Sequence, residues 1–174
     1  MRRILLTCAL LALLAFPVAA AASAAARPKP GYLVVHKAVG DRGANGRPVA
    51  TVVVQGFLLG RISQEARVDV YQLPSAAGQG AVQVKGTDLS ARAMRWHGFA
   101  GKEYSGSNFR FRAIGGFYRV VVRGSGIYLF AGGQGHVTLQ GSVRYPTHDG
   151  TYAVNGGTVR SMPTRPATRQ IGGR

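Results

Sequence analysis

Four arginines, at positions 110, 112, 119 and 123, carry the clearest chemistry in this sequence. They alternate with apolar residues in Phe109-Arg110-Phe111-Arg112-Ala113 and in Arg119-Val120-Val121-Val122-Arg123. In an extended chain that spacing sends the guanidinium groups to one face and the apolar groups to the other. Guanidinium forks onto carboxylate and phosphate and stacks on aromatic rings better than an ammonium does. A two-residue turn at Gly115-Gly116 would set Arg112 directly across from Arg119. Like charges so placed cost stability unless an anion sits between them. A second turn at Ser125-Gly126 brings Tyr128 across from Arg123 and puts Phe130 on the same face, where their rings are open to a cation or a ligand ring. Arg110, Arg112, Arg119, Arg123 and Tyr128 therefore make up a candidate anion-binding face. The competing account is a solvated charged face that keeps the sheet soluble and discourages edge pairing.

Other chemistry is weaker. His36, His97, His136 and His148 show no spacing that one strand or helix face would offer a metal, so no metal site is expected. Gly124-Ser125-Gly126 fits a hairpin turn and not a nucleophile elbow. The carboxylates are Asp41, Glu65, Asp69, Asp88, Glu103 and Asp149. Asp88 and Glu103 flank a segment that also holds Trp96, His97 and Tyr104, so a hydrolase would place its cleft between Trp96 and Tyr104. Surface pairing of those two carboxylates with neighbouring arginines is the simpler account. Gly78-Gln79-Gly80 and Gly133-Gln134-Gly135 lack the third glycine and the strand-to-helix setting of a phosphate loop. The expectation is a non-enzymatic protein without cofactor.

The elements that position these residues read as β throughout. Phe109, Phe111, Ala113, Tyr118, Val120, Val122, Leu129, Ala131, Val137, Leu139 and Val143 are expected inward, with Thr138, Gln140, Ser142 and Arg144 outward. Gly132 to Gly135 supplies a third turn before a last strand from His136 to Tyr145. Upstream, Tyr32 to Lys37 is a first strand. Ala50 to Ile62 is apolar on both faces and so should be central. Arg67 to Leu73 is expected to return along it, with Val68 and Val70 facing Gly60 and Leu58. Ala81 to Lys85 and Ala91 to Phe99 are short strands, and Glu103 to Asn108 a loop. Thr151 to Val154 and Thr158 to Arg160 are edge strands around an Asn155-Gly156-Gly157 turn. About ten strands with glycine punctuation every eight to twelve residues predict one all-β domain, an antiparallel β-sandwich or partly closed barrel.

The chain has 174 residues with 22 Lys and Arg against 6 Asp and Glu. Arg2, Arg3, the apolar run Ile4 to Phe16 and the alanines after Pro17 have the form of a secretory signal peptide, cleaved after Ala24 or Ala26. A retained anchor is the alternative, since the apolar stretch is long enough to span a bilayer. Residues 1–26 are thus the leader; 27–48 an extended lead-in, first strand and mobile loop; 49–160 the all-β core; and 161–174 a flexible basic tail. The only cysteine, Cys8, lies in the leader, so the exported domain is expected to have neither disulfide nor thiolate. The function expected is an exported module, extracellular or on the cell envelope, that binds anionic polymer or an anionic membrane surface; cytoplasmic nucleic acid is not a partner. A self-assembling envelope protein, joined through Ala50 to Ile62, is the structural alternative.

Overall fold

A computed structural model describes residues 29–76, 78–145 and 149–173. Residues 1–28, which include the expected leader, and Ala77, Pro146, Thr147, His148 and Arg174 lie outside the described residues, and so do the expectations for them. The protein is all-β, with eight strands in one antiparallel sheet that does not close on itself. The strands are β1 (Gly31–Val39), β2 (Ala50–Ile62), β3 (Ala66–Leu73), β4 (Ala81–Trp96), β5 (Phe99–Leu139), β6 (Thr151–Val154), β7 (Arg160–Ser161) and β8 (Ala167–Ile171). A single 3-10 turn, Gly43–Asn45, interrupts the loop after β1.

β5 organises the sheet. Its 41 residues pair with β1, β2, β3, β4 and β8. As residue numbers rise along β2 they fall along β5, so the two run in opposite directions, and they do so twice. Residues 50–62 face 122–109 on one edge and 139–127 on the other. β3 continues from β2 and is flanked in the same way, by 106–101 and by 124–117. The doubly apolar β2 is therefore central, as its composition requires. Both its edges are occupied, which leaves it no free edge for a second copy. β2 and β3 do not return on each other; Val68 meets Tyr104 and Val122 in place of Gly60.

The glycine pairs read as hairpin turns are bends within β5. Between Gly56↔Gly116 and Phe57↔Ile114 the register slips by one residue and Gly115 is left over, with φ 73. That is a β-bulge with glycine in the left-handed region. At Gly133, φ 135, the strand passes so close to β2 that an added Cβ would collide with the carbonyl oxygen of Gln55. Phe111 consequently lies opposite Gly60 and Val84 and not Val120, while Val120 lies between Val52 and Val70.

As far as Leu139, inward and outward faces nonetheless fall as expected. Phe109, Ala113, Tyr118, Val120, Val122, Ile127, Ala131, Val137 and Leu139 are all at 0% exposure, and Phe111 and Leu129 are buried. Each of the larger aliphatic and phenylalanine side chains contributes about 1.5–3 kcal/mol by leaving water. Tyr118 keeps its hydroxyl satisfied by donating to the Ile114 carbonyl at 2.9 Å.

Three stretches differ from expectation. β4 is one strand through Trp96 and forms a hairpin with β5 at His97-Gly98, so Glu103 to Asn108 is paired strand and not loop. β5 ends at Leu139; beyond it Val143 is exposed, whereas Gln140 and Ser142 are buried, because the Ser142 hydroxyl donates to Asp41 at 2.5 Å and accepts from the backbone of Arg144 and Tyr145. The expected tail contains β8, which pairs with 135–139 of β5 and buries Ile171 completely. Asn155 and Gly156 do form a tight turn, both with positive φ, but β7 begins only at Arg160.

Candidate anion-binding face

Because β5 bends between residues 114 and 117, the four arginines expected on one face separate into two groups. Arg123 joins a network around Asp69 and Glu103, which are buried and directly opposite one another on β3 and β5, and Arg119 packs beside it. Asp69 accepts from Arg123 Nη1 at 2.5 Å and from Arg67 Nε at 3.4 Å. Glu103 is held by Arg67 Nε at 3.0 Å and Arg92 Nη2 at 3.1 Å. Two facing carboxylates are thus neutralised by three guanidinium groups. Arg119 lies over the Trp96 ring at 4.2 Å and beside Tyr71 at 5.5 Å. Its partial burial lowers its pKa from the ordinary guanidinium value, with the Tyr71 and Asp69 charges pulling the other way. Arg123 is paired internally and Arg119 is packed over two rings.

Arg110 and Arg112 stay exposed. Arg112 donates from Nε to Gln83 at 2.9 Å. Arg110 sits directly between Lys85 on β4 and Arg61 on β2, and Arg61 in turn faces Tyr128. Lys85, Arg110, Arg61 and Tyr128 therefore form one cross-strand row, with neighbours on the order of 5 Å apart along the sheet. The ion pairs among the described residues go to Asp69 and Glu103, so no carboxylate neutralises this row. Tyr128 ends it, with its ring edge-on to His36 at 4.9 Å.

Two residues along the strands apolar side chains begin to replace the charges, and two residues further on they take over. Gln83, Arg112, Leu59, Phe130 and Val34 form the next row, and Ile114, Phe57, Gly132 and Tyr32 the one beyond. Leu59, Ile114, Phe130, Val34 and Tyr32 are 38%, 43%, 39%, 44% and 50% exposed. Phe130 contacts both Tyr32, with centroids 6.0 Å apart and planes within 5°, and Phe57 at 5.4 Å. Two shallow grooves cross the junction of the charged and apolar rows. One, of about 360 Å³, is lined by Leu59, Gln83, Lys85, Arg110 and Arg112; the other, of about 420 Å³, by Val34, His36, Arg61, Tyr128 and Phe130.

Arg61 and Lys85 were not among the residues expected here. Arg61 is out of phase with the inward Leu58 and Ile62, and Lys85 with Val82 and Val84, which places both on the outer face; only their adjacency to Arg110 needed the true strand order.

The residues of the alternative cleft do not converge. Trp96 and His97 stack edge to face at the hairpin tip, 4.7 Å apart. Glu103 is fixed by its arginines, and its neighbour Tyr104 points to the opposite face, where burial raises its pKa. Among the described residues no three of His, Cys, Asp and Glu come together as metal ligands. Elsewhere, Asp149 is buried, and among the described residues neither carboxylate oxygen has a partner within hydrogen-bond criteria. Burial pushes its pKa up and the nearby Asp41 charge adds to that, partly offset by the Ser142 backbone. Asp41 is shifted the other way, first by the Ser142 hydroxyl. Comparison with protein families, curated proteins and solved structures finds no match for this chain.

Proposed function

We propose that the protein is a non-enzymatic exported binding module that holds anionic, phosphate- or carboxylate-bearing material of the cell envelope or its surroundings. One observation carries this reading: Lys85, Arg110 and Arg61 stand side by side on three adjacent strands with no carboxylate among them. Like charges directly opposite destabilise a sheet, and a bound polyanion removes that cost. Arg112 and Tyr128 border the row and complete the site; Arg119 and Arg123 do not belong to it. The reading takes residues 1–26 as an export leader, and the sheet as folded over into a sandwich-like two-layer core.

Binding to long-chain polyphosphate, followed by titration at rising salt, tests it. The affinity falls steeply with salt, because each phosphate contact releases a counterion. Changing Arg61, Arg110 and Lys85 together to Ser abolishes it. Affinity indifferent to salt, or undiminished in the triple variant, would refute the proposal.

A further inference from the structure

The row of cations is only one border of this face, and what lies beside it narrows the ligand. Building on the function proposed above, we infer that the protein docks on a lipid bilayer carrying anionic headgroups, with the apolar rows entering the headgroup layer and the Lys85–Arg110–Arg61 row meeting the phosphates.

Three features of the face favour a bilayer over a soluble polymer. First, the side chains grade in one direction, from Lys85, Arg110 and Arg61 through a mixed row of Gln83, Arg112, Leu59, Phe130 and Val34 to Ile114, Phe57 and Tyr32, over four residues of strand, roughly 13 Å. A membrane interface has the same gradient, from charged phosphate to hydrocarbon, and draws aromatic rings to the boundary. Second, the apolar end lies at a bend of the chain. Ile114 is followed by the Gly115 bulge, where nothing lies within 4 Å of an added Cβ, so this end projects into open space. Third, the face has few hydrogen-bond acceptors: Gln83 is already engaged by Arg112, and no carboxylate stands in these rows among the described residues. A hydroxyl-rich glycan gains little from rows of aliphatic and aromatic side chains, whereas lipid uses both the cations, for phosphate, and the apolar contact. A contiguous exposed apolar patch with a charged rim is the usual mark of a partner or membrane surface. A second copy of the chain fits poorly, since it would bring another unneutralised row of arginines.

Sedimentation with vesicles decides the matter. The full chain is mixed with vesicles of phosphatidylglycerol and phosphatidylcholine, with pure phosphatidylcholine vesicles, with polyphosphate and with a single-stranded oligothymidylate. The expected result is strong association with the anionic vesicles and little with the neutral ones. The double variant Ile114→Ser, Phe130→Ser then loses at least about tenfold in vesicle affinity while holding polyphosphate as the wild type does. Tyr32→Ser, at the most exposed of these positions, gives the same direction with a smaller loss and guards against misfolding of the double variant. Undiminished vesicle binding by both variants overturns the membrane assignment and leaves the cation row standing. Polyphosphate binding without vesicle binding does the same. A loss of oligothymidylate binding in the double variant as large as its loss of vesicle binding overturns it too, in favour of rings that stack on bases. Failure of the wild type to bind any polyanion or vesicle removes the function proposal along with it.

Discussion

Arg110 and Arg123 are alike in residue type and in their outward phase along β5, yet the structure predicts that replacing them shifts stability in opposite directions. Arg110 faces two like charges, Arg61 and Lys85, each contact costing about 0.2–1 kcal/mol in a sheet. Arg110→Gln keeps much of the stem and removes both repulsions. The expected gain is about 0.5–1 kcal/mol at low salt, or a melting temperature higher by about 1–4 °C for a chain of this size. Arg123 holds Asp69, whose side chain is 3% exposed, at 2.5 Å. Arg123→Gln leaves that carboxylate with only Arg67 at 3.4 Å. Breaking a buried pair outright costs about 3–5 kcal/mol; with Arg67 still present and Arg123 itself part-exposed, the loss should be about 2–3 kcal/mol. Urea denaturation of both variants at low and high salt measures the difference. The Arg110→Gln gain should shrink with salt because exposed charges are screened, while the Arg123→Gln loss persists. A loss for Arg110→Gln comparable to that for Arg123→Gln would refute the assignment of one arginine to an open row and the other to a closed network.

Three further outcomes are expected. Gly60→Ala should cost on the order of 1–3 kcal/mol in denaturation, because the added methyl meets the buried Phe111 ring that lies across this position. Asp149→Asn should stabilise the protein near neutrality. Burial raises the folded-state pKa of Asp149, so its carboxyl is tolerated while protonated and becomes a liability as pH climbs above the unfolded value of about 4. Variant and wild type should therefore converge in urea titrations below about pH 4, and a difference that grows toward acid would contradict this. Ile171→Ala should cost about 2–4 kcal/mol in the same assay, since β8 seats Ile171 fully in the core; a change near zero would mean the segment is not docked.

The faces of β5 were legible in the sequence although its path was not, and parity explains why. A two-residue hairpin at Gly115-Gly116 moves the inward set from odd positions, 109, 111 and 113, to even ones, 118, 120 and 122. A one-residue bulge at Gly115 does the same. Burial patterns therefore could not separate a strand that reverses from one that bends, and glycine serves both. What differs is the partner. Phe111 pairs with Gly60 across 51 positions of sequence rather than with Val120 close by. Such long-range pairing leaves no local mark. For the same reason Arg110 and Arg112 were recognised while Arg61 and Lys85 were missed, and Arg112 was set against Arg119, which in fact lies between Val53 and Tyr71. β8 escaped because prolines and arginines surround it, and Ile171 alone signals burial.

The dependence of so many strands on β5 bears on the order in which the protein can assemble. Before Phe99 is made, β1 to β4 have no pairing with one another. The amino-terminal half must wait, as an unpaired ribbon rich in apolar side chains, for residues that follow it in the chain. Such non-local topologies fold slowly and expose sticky edges in the interval. A chain stopped at Trp96 should neither fold nor stay dispersed without a chaperone.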